Sequence, residues 1–444
     1  MIQADIAIVG GEIFTMSDQG TIPEGVVLLK DNRILAVGAA DEVGAFEARR
    51  TLDAHDRVVM PGFSNCHTHI GSNILLRGLN EDAKLFEWLQ SMWRLKENFD
   101  HETLRLASLA GLAEMALSGI TSFNEHFDAY SVSPEIDALT QIPLRATLGY
   151  GFADIGLYAP VKDWAYEALD NFGDIKSRYH KTQNERLQVA LSPHATYSCT
   201  ETLWRKCAEV AEELDLTIHT HLSEGQQETR YVAENHRGLT PTAWLHEMGL
   251  LRENLTAAHC TTLTDADIAL LAKGGSKVAH CPISNAKLCS GILPIRGLRE
   301  AGVTVGLATD GPASHNTLDM FQEMKFGAIT HKNHNLDPEL LTVDEMLVMA
   351  TREAARAMHL EEAGTLEAGM LADLIVVDLN TPHCSPRYDS GAALVYSARA
   401  DDVVHTVVDG EVLVEERALA GIDVPAMLQE LRERAAHLRE RSGV

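Results

Sequence analysis

Histidine and acidic side chains occur repeatedly where apolar segments of this 444-residue sequence end. At the first such point, His67-Thr68-His69 presents two imidazoles two residues apart. Because side chains at positions i and i+2 of a strand share one face, both rings can reach a single ion. Neutral imidazole is a ligand that suits zinc, iron, cobalt and nickel. The pair alone is a weak indication of a metal site. The chain has 20 histidines, and a second such pair occurs in His219-Thr220-His221.

A third imidazole and a carboxylate can complete a metal site with the first pair. His221 is followed three residues later by Glu224, and Asp310 follows the largely apolar segment 303–308. A carboxylate at such a point must be paired, bound to a metal or solvated, unless it caps the next helix. A catalytic zinc site needs a ligand set that leaves room for a water. The predicted metal ligands are therefore His67, His69, His221 and Asp310.

The elements that must position these residues alternate between apolar strands and helices. Helical segments, for example 104–118, 202–214 and 265–272, separate most of the strands. Eight strand–helix units over about 250 residues favour an α/β fold of the (β/α)8 TIM-barrel type, with a doubly wound open sheet as the competing fold. The predicted strands are Val58 to Cys66, Ile120 to Glu125, Leu144 to Tyr150, Leu187 to Pro193, Thr217 to Leu222, Leu255 to Cys260, Lys277 to Cys281 and Val303 to Asp310.

Reactive side chains of such a barrel lie at the C-terminal ends of its strands. The candidate residues at these ends are His67 and His69 after the first strand, His194 after the fourth, His221 and Glu224 after the fifth, His259 after the sixth and Asp310 after the eighth. This repeated coincidence strengthens the prediction of a metal site more than any single motif does.

Short strands separated by turns occupy both ends of the sequence. Near the N-terminus, Asp31-Asn32 forms a hairpin turn between two apolar or alternating segments. Similar segments return at 372–377 and 403–414. We therefore predict a small β-sandwich domain formed by residues 1–57 and 365–420, a barrel domain over 58–364 and a C-terminal helix over 421–444.

The composition of the chain limits its partners and its location. Asp and Glu outnumber Lys and Arg by 64 to 37, which gives a formal net charge of -27. A field of this sign repels phosphate backbones and anionic membranes, so we expect no nucleic-acid polymer and no membrane as partner, whereas an uncharged nucleoside is compatible. The seven cysteines include no CxxC pair, and no stretch reaches the ~18 apolar residues of a membrane span. We expect a cytoplasmic protein with reduced thiols, and a homo-oligomer is compatible with the sequence.

Six ordered segments resemble the amidohydrolase superfamily. They are PGFSNCHTH, SPHATYSC, HTHLSE, AAHC, HCPISNAKLCSGILPI and TDGPASHNTLDMF. They are most similar to the branch of 5'-methylthioadenosine/S-adenosylhomocysteine deaminases. The resemblance implies hydrolytic deamination of an adenosine-type small molecule by zinc-activated water. Its cofactor would be one Zn2+ per chain, with Fe2+ or another divalent transition metal as the alternative.

The same resemblance implies roles for the residues around the metal. Glu224 would take a proton from the attacking water and pass it to the ring nitrogen, and Asp310 would deliver the second proton to the leaving ammonia. His259 would orient the water and stabilise the developing charge. Two-metal relatives carry a modified lysine after the fourth strand, where this chain has Ser192-Pro193-His194, so a single ion is expected.

The resemblance further implies two substrate-binding residues. A glutamate nine residues after a tryptophan binds the ribose hydroxyls in the family, and Glu97 stands nine residues after Trp88. A carboxylate can accept both vicinal hydroxyl protons, which gives this role a physical basis. His194 matches a histidine that contacts the ligand. The third strand ends Gly149-Tyr150-Gly151, without the arginine with which relatives bind a substrate carboxylate, and this favours neutral nucleosides.

Other functions are compatible with the same fold. An s-triazine chlorohydrolase or aminohydrolase and a guanine- or pterin-type deaminase would use the same metal site. A triazine has no vicinal hydroxyls, so the match at Glu97 favours a ribose-bearing ligand. A metal-free binding protein on the same barrel is disfavoured, because the sequence retains every predicted metal-binding and proton-transfer residue.

Overall fold

Two β-sheets organise the computed structural model of the chain, which describes residues 1–79, 81–82, 85–127 and 132–442. Within these residues, one sheet has nine strands of mixed direction and the other has eight parallel strands. The α-helices are α1 (Ala40–Val43), α2 (Ile70–Asn73), α3 (Leu85–Lys96), α4 (His101–Leu117), α5 (Ser133–Leu139), α6 (Lys162–Asp170), α7 (Phe172–Tyr179), α8 (Glu201–Glu213), α9 (Gln226–Asn235), α10 (Pro241–Glu247), α11 (Asp265–Gly274), α12 (Pro282–Lys287), α13 (Ile295–Glu300), α14 (Met320–Asn335), α15 (Val343–Ala350), α16 (Arg352–Ala357), α17 (Ser390–Tyr396) and α18 (Val424–Ser442).

The nine-stranded sheet begins with the N-terminal segment of the chain. Its first strands are β1 (Ile2–Phe14), β2 (Thr21–Lys30), β3 (Arg33–Ala39), β4 (Phe46–Asp53) and β5 (Val58–Pro61). β1 pairs antiparallel with β2 and parallel with β4 and β5. The predicted turn at Asp31-Asn32 joins β2 to β3, and Asp31 has a left-handed backbone (φ 51°) there. Aspartate tolerates this conformation better than most residues, which explains its place in the turn.

The eight parallel strands form the barrel that the sequence predicts. They are β6 (Phe63–Thr68), β7 (Ile120–Phe127), β8 (Arg145–Phe152), β9 (Leu187–Pro193), β10 (Ile218–Leu222), β11 (Leu255–His259), β12 (Lys277–His280) and β13 (Val305–Leu307). Each strand pairs with the next along the chain. The main-chain nitrogen of Asp310 donates to the carbonyl oxygen of His67 over 3.0 Å, which places the end of the eighth strand beside the first. The predicted (β/α)8 fold is confirmed.

One predicted barrel strand is wrong. We predict a single strand from Val58 to Cys66, but the structure divides it at Gly62. β5 pairs with strands of the nine-stranded sheet, and only β6 lies in the barrel. A Cβ atom on Gly62 would lie 2.1 Å from the side chain of Thr121, so only glycine allows the backbone to pass from one sheet to the other at this point.

The C-terminal segment completes the nine-stranded sheet. It adds β14 (Leu374–Val377), β15 (Val403–Val408), β16 (Glu411–Glu415) and β17 (Ala418–Leu419). β14 pairs antiparallel with β5, so strands from both ends of the chain belong to one sheet that is separate from the barrel sheet. Its two halves share a core that includes Ile8 and Val27 from one end and Leu374 and Val404 from the other.

A buried ion network connects this domain to the barrel. Arg145, at the start of β8, places its Nε 2.8 Å from Asp373 Oδ2 and its Nη2 3.0 Å from Asp409 Oδ1. All three side chains are buried. Arg145 therefore lies at the end of the barrel opposite to the predicted metal ligands, as its place at the start of a strand indicates.

No helix within the described residues is both long and apolar enough to cross a membrane.

Candidate metal centre and active site

The four predicted metal ligands meet at the C-terminal end of the barrel. His67 lies in β6 and His69 directly after it, His221 lies in β10, and Asp310 follows β13. His69 Nε2 is 3.2 Å from His221 Nε2 and 3.4 Å from Asp310 Oδ1. His67 Nε2 is also 3.4 Å from Asp310 Oδ1. The ligand atoms therefore surround one small volume, as a metal site requires.

Hydrogen bonds behind the histidines orient their rings toward this volume. The Nδ1 of His69 donates to the carbonyl oxygen of His126 over 2.7 Å, and the Nδ1 of His221 donates to the carbonyl oxygen of His194 over 2.8 Å. Each ring thereby presents an unprotonated Nε2, which is the form that binds a metal. His67 Nδ1 lies 3.0 Å from the Nε2 of His219, which gives His219 a supporting role.

The ligand set fits a cation. His67 Nε2 is buried and has no hydrogen-bond partner, although Asp310 lies near it. Burial lowers the pKa of His67 to about 4 and holds the pKa of His221 well below its usual value, so both rings are neutral at pH 7. Buried polar atoms without partners are rare in folded proteins. A metal ion would satisfy these nitrogens.

Asp310 is held in place through both of its carboxylate oxygens. Its Oδ2 accepts hydrogen bonds from the hydroxyls of Ser284 (2.6 Å) and Ser314 (2.8 Å), and its Oδ1 accepts one from the main-chain nitrogen of Gly311 (2.7 Å). Burial alone would raise its pKa, but the imidazoles around it, with His67 first among them, outweigh burial and hold the pKa well below the usual range. Asp310 is therefore ionised, which is the form that a metal ligand requires.

Glu224 and His259 lie beside the metal ligands. Burial raises the pKa of Glu224, which favours the protonated form that can act as a proton donor. The Nδ1 of His259 donates to Asn285 Oδ1 over 2.8 Å, and its ring stacks against His221 at a centroid distance of 5.4 Å. Burial lowers the pKa of His259, but the carboxylates of Glu224 and Asp310 more than compensate, and the pKa is raised.

A second buried acid supports Glu224. Glu228 in α9 accepts a hydrogen bond from the main-chain nitrogen of Glu224 over 2.7 Å and another from the hydroxyl of Thr196 over 2.5 Å. Burial raises the pKa of Glu228 to about 7. Glu228 thus connects the ends of the fourth and fifth barrel strands and fixes the backbone at Glu224.

Three strand ends at this site have a left-handed backbone. Ser223 has φ 51°, His259 has φ 73° and Asp310 has φ 59°. This conformation is unfavourable for residues other than glycine, and it is concentrated in functional sites. Here it turns the chain where His259 and Asp310 project from the barrel.

A cavity lies over three of the four predicted metal ligands, His69, His221 and Asp310, and its lining combines polar side chains with aromatic and apolar ones. Apart from the metal ligands, Glu224 and His259, its lining residues are Asn73, Trp88, Leu89, Met92, Lys96, Tyr158, His194, Tyr197 and Leu288. His194 Nε2 lies 3.3 Å from the Tyr158 hydroxyl, and its Nδ1 lies 2.8 Å from Ser198 Oγ. His194 is therefore at the cavity, where the sequence places it.

Glu97 is the predicted site residue that the structure does not bring to the cavity. Its side chain is exposed and accepts a hydrogen bond from the indole nitrogen of Trp93 over 3.0 Å. Trp88, Met92 and Lys96 recur every four residues in α3, so they share one helix face and line the cavity. One residue further on, the helix has turned by about 100° and Glu97 faces solvent.

Several residues of the site escape the sequence analysis. Ser284 and Asn285 lie within a segment that carries the family resemblance, but the spacing alone does not assign them a contact with Asp310 or His259. The four-residue spacing of the α3 face is a signal that predicts Lys96 instead of Glu97. Tyr158 lies in a short 3-10 helix (Gly156–Val161), and nothing in its sequence surroundings indicates that it reaches the cavity.

Comparisons with known proteins agree with this geometry. A model of the amidohydrolase family matches residues 58–413. The chain is 37% identical over 442 residues, 98% of its length and 99% of the relative's, to a 5-methylthioadenosine/S-adenosylhomocysteine deaminase of Symbiobacterium thermophilum. It is 36% identical over 437 residues, 98% and 99% of the two lengths, to a 5'-deoxyadenosine deaminase of Methanothermobacter thermautotrophicus.

A solved structure extends the agreement to three dimensions. An adenosine deaminase from Xanthomonas campestris with bound zinc superimposes with a TM-score of 0.93 at 30% identity, over 99% of both chains. The family model covers most of the sequence, and the relatives match over almost their full length. The chain belongs to the amidohydrolase family.

Proposed function

We propose that the chain is a zinc-dependent aminohydrolase that converts an adenosine-type nucleoside to its inosine analogue and ammonia. The candidate substrates are 5'-methylthioadenosine, S-adenosylhomocysteine, 5'-deoxyadenosine and adenosine. The observation that carries the proposal is that five buried residues line one cavity and His67 lies beside them. The five are His69, His221, Glu224, His259 and Asp310. The names of the full-length relatives support the nucleoside as substrate class.

The metal would be held by the three imidazoles and the carboxylate described above. Nitrogen and oxygen ligands of this kind suit zinc, and they also suit Fe2+. A bound zinc ion supplies Lewis acidity, which makes water nucleophilic near neutral pH. The unpartnered Nε2 of His67 and the close approach of His69 and His221 support this assignment.

The chain's own residues would move the protons of the reaction. Glu224 would accept a proton from water and donate it to the purine nitrogen next to the carbon that bears the amino group. Asp310 would accept the second water proton through its carboxylate and return it to the departing amino group, so that the C–N bond breaks and ammonia leaves. His259, whose Nδ1 is fixed by Asn285, would direct its Nε2 at the attacking oxygen.

The cavity lining supports a flat heterocycle as the group that reacts. Trp88, Tyr158 and Tyr197 offer aromatic faces, against which a purine can pack. Asn73 adds amide hydrogen-bonding groups. The space above the ligands is only about 40 Å³, whereas sites for drug-sized ligands have volumes of about 300 Å³ or more. We therefore expect α3, which carries Trp88, to move outward when substrate binds.

Ammonia release from a panel of compounds tests the proposed function. The purified zinc-loaded chain is incubated with the four adenosine-type nucleosides and with guanine and an aminotriazine as controls. We expect release from at least one adenosine-type compound and little from the two controls. Absence of release from all four nucleosides would overturn the substrate class.

The Glu224→Gln variant tests the proton-transfer role. Glutamine keeps the shape of the side chain but cannot exchange the proton, so kcat should fall by about 100-fold or more. Metal content should stay at the wild-type level, because Glu224 is not a ligand. Turnover near the wild-type rate would rule out this role for Glu224.

A further inference from the structure

A second group of metal-ligating side chains lies outside the catalytic centre. His383 and Cys384 are in the 3-10 turn Pro382–Cys384, and Asp402 ends the turn Ala400–Asp402 on the other side of α17. One ligand atom of each residue lies within 4.8 Å of the others, and His383 Nε2 is 2.8 Å from Asp402 Oδ2. We propose that these three residues form a second, structural metal site that takes Zn2+.

The ligand chemistry suits zinc. An imidazole nitrogen, a thiolate sulfur and a carboxylate oxygen all bind zinc, at distances of about 2.0–2.3 Å. Cys384 and Asp402 are each 3% exposed, and His383 is half-buried. A cation between the sulfur of Cys384 and the carboxylate of Asp402 would be within reach of both groups in a largely buried position. The catalytic ligand set contains no sulfur, so the two sites differ in chemistry.

The thiol of Cys384 distinguishes this site from a simple histidine–aspartate pair. The buried thiols of Cys66 and Cys199 donate to the main-chain oxygens of Leu307 and Phe152. Within the described part of the chain, the Cys384 thiol has no hydrogen-bond partner. Cys384 packs in the main hydrophobic core, and its sulfur lies close enough to the ligand atoms of His383 and Asp402 to serve as a third ligand.

Binding of an ion requires only a small adjustment. Ligand atoms of a tetrahedral zinc site lie roughly 3.3–3.7 Å apart, as follows from the bond lengths, so His383 must withdraw from Asp402 by about half an ångström. Asp402 also accepts a hydrogen bond from the main-chain nitrogen of Arg399 (2.9 Å). Among the described residues, the His383 side chain has one other hydrogen-bond partner, Thr381 Oγ1 at 3.2 Å. A cavity of about 580 Å³ borders His383 and can supply water as the fourth ligand.

The position of the site indicates what the ion would do. The two turns flank α17, and this helix packs against α14 and α15 of the barrel. Bonds from one ion to His383, Cys384 and Asp402 would close the segment from His383 to Asp402 into a loop. Closing this loop reduces the entropy of the unfolded chain. The ion would stabilise the attachment of the C-terminal segment and take no part in the reaction.

Cobalt substitution of the full-length chain tests the proposal. Metal-free protein is titrated with Co2+ alone, and absorption is recorded in the visible and near-ultraviolet regions. The catalytic ligands should give only the weak visible bands of cobalt bound to nitrogen and oxygen. A sulfur-to-cobalt charge-transfer band should appear in the near ultraviolet as about two equivalents are bound. The variant Cys384→Ser should lose this band and about one equivalent of cobalt.

Three further measurements complete the experiment. Cys289→Ser removes the exposed thiol and should leave the band unchanged. Cys384→Ser should keep the turnover of the zinc-loaded enzyme, so a failure of the proposed deaminase activity would be seen separately. His383→Gln should also weaken the band, which covers the case in which the serine variant does not fold. A wild-type chain without the band at saturating cobalt, or a band that persists in Cys384→Ser, would overturn the second site.

Discussion

At the scale of single residues, Glu228 shows how the site depends on groups that do not touch the metal. Its carboxylate accepts from the main-chain nitrogen of Glu224 and from the hydroxyl of Thr196. Burial disfavours the charged form, and the pKa is therefore raised to about 7 from 4.5. Between these two values the folded chain binds a proton that the unfolded chain releases.

This difference predicts how stability depends on pH. The contribution of Glu228 to the free energy of unfolding is complete below pH ~4.5 and is lost as the pH rises through about 7. In Glu228→Gln, the side-chain amide can accept a hydrogen bond from the main-chain nitrogen of Glu224 and donate one to the hydroxyl of Thr196. Because this amide does not titrate, the loss of stability with rising pH should disappear. Chemical denaturation of both proteins from pH 4.5 to 8 should show the wild type losing stability relative to the variant.

A matched control lies on the same helix. Glu234 is also in α9, but its side chain is exposed. Glu234→Gln should keep the pH profile of the wild type. If the dependence of stability on pH is also the same in Glu228→Gln as in the wild type, Glu228 is ionised in the folded chain throughout the range from pH 4.5 to 8.

At the scale of elements, α3 decides which side chains face the substrate. Lys96 lines the cavity and Glu97 does not, although the family resemblance assigns Glu97 to the ribose. The variants Lys96→Ala and Glu97→Ala therefore form a discriminating pair. We expect Lys96→Ala to raise KM by about 10-fold, the effect of losing roughly one charged hydrogen bond, and Glu97→Ala to change KM by less than about 2-fold.

Steady-state kinetics with the best nucleoside of the panel would measure both values. A large increase of KM in Glu97→Ala alone would show that α3 turns on substrate binding and exchanges the two side chains. Large increases of KM of similar size in both variants would show that both residues contact the ligand.

The elements also show where sequence patterns are sufficient and where they fail. The barrel strands are visible as apolar segments, and the four residues predicted as metal ligands lie together because a barrel places its chemistry at its strand ends. The segment from Val58 to Cys66 is apolar along most of its length, but its two halves belong to different sheets. The sequence pattern misses this division because hydrophobicity does not indicate which strand pairs with each half. The contact between Gly62 and Thr121 that separates them joins residues distant in sequence.

At the scale of the whole molecule, the barrel and the nine-stranded sheet depend on the buried network around Arg145. Its guanidinium lies between Asp373 and Asp409, and all three groups are buried. Removal of one partner leaves buried charges without compensation, which destabilises a protein by about 3–5 kcal/mol. Arg145→Ala should therefore unfold at markedly lower urea concentration than the wild type.

An exposed ion pair provides the comparison for this prediction. Arg205 and Glu201 form a pair four residues apart on the surface of α8. Arg205→Ala should change stability by less than about 1 kcal/mol. Similar denaturation midpoints for Arg145→Ala and the wild type would show that the network does not hold the two sheets together.

The sequence predicts the overall architecture better than it predicts such connections. Alternating strands and helices indicate the barrel, and the similar strands at both ends indicate a common domain. In the sequence, Arg145 is only the second residue of the predicted strand from Leu144 to Tyr150. Its partners are more than 200 positions away in the chain, and no local pattern relates them.

The left-handed residues at the catalytic end have a consequence for evolution and engineering of the chain. At about 1–3 kcal/mol each, Ser223, His259 and Asp310 together store an amount of strain that is comparable with much of the net stability of an ordinary protein, about 5–15 kcal/mol. The surrounding barrel must therefore be stable enough to impose these conformations. Selection for heat resistance should find gains in the helices and in the nine-stranded sheet, whereas changes that relax the three strand ends should reduce turnover.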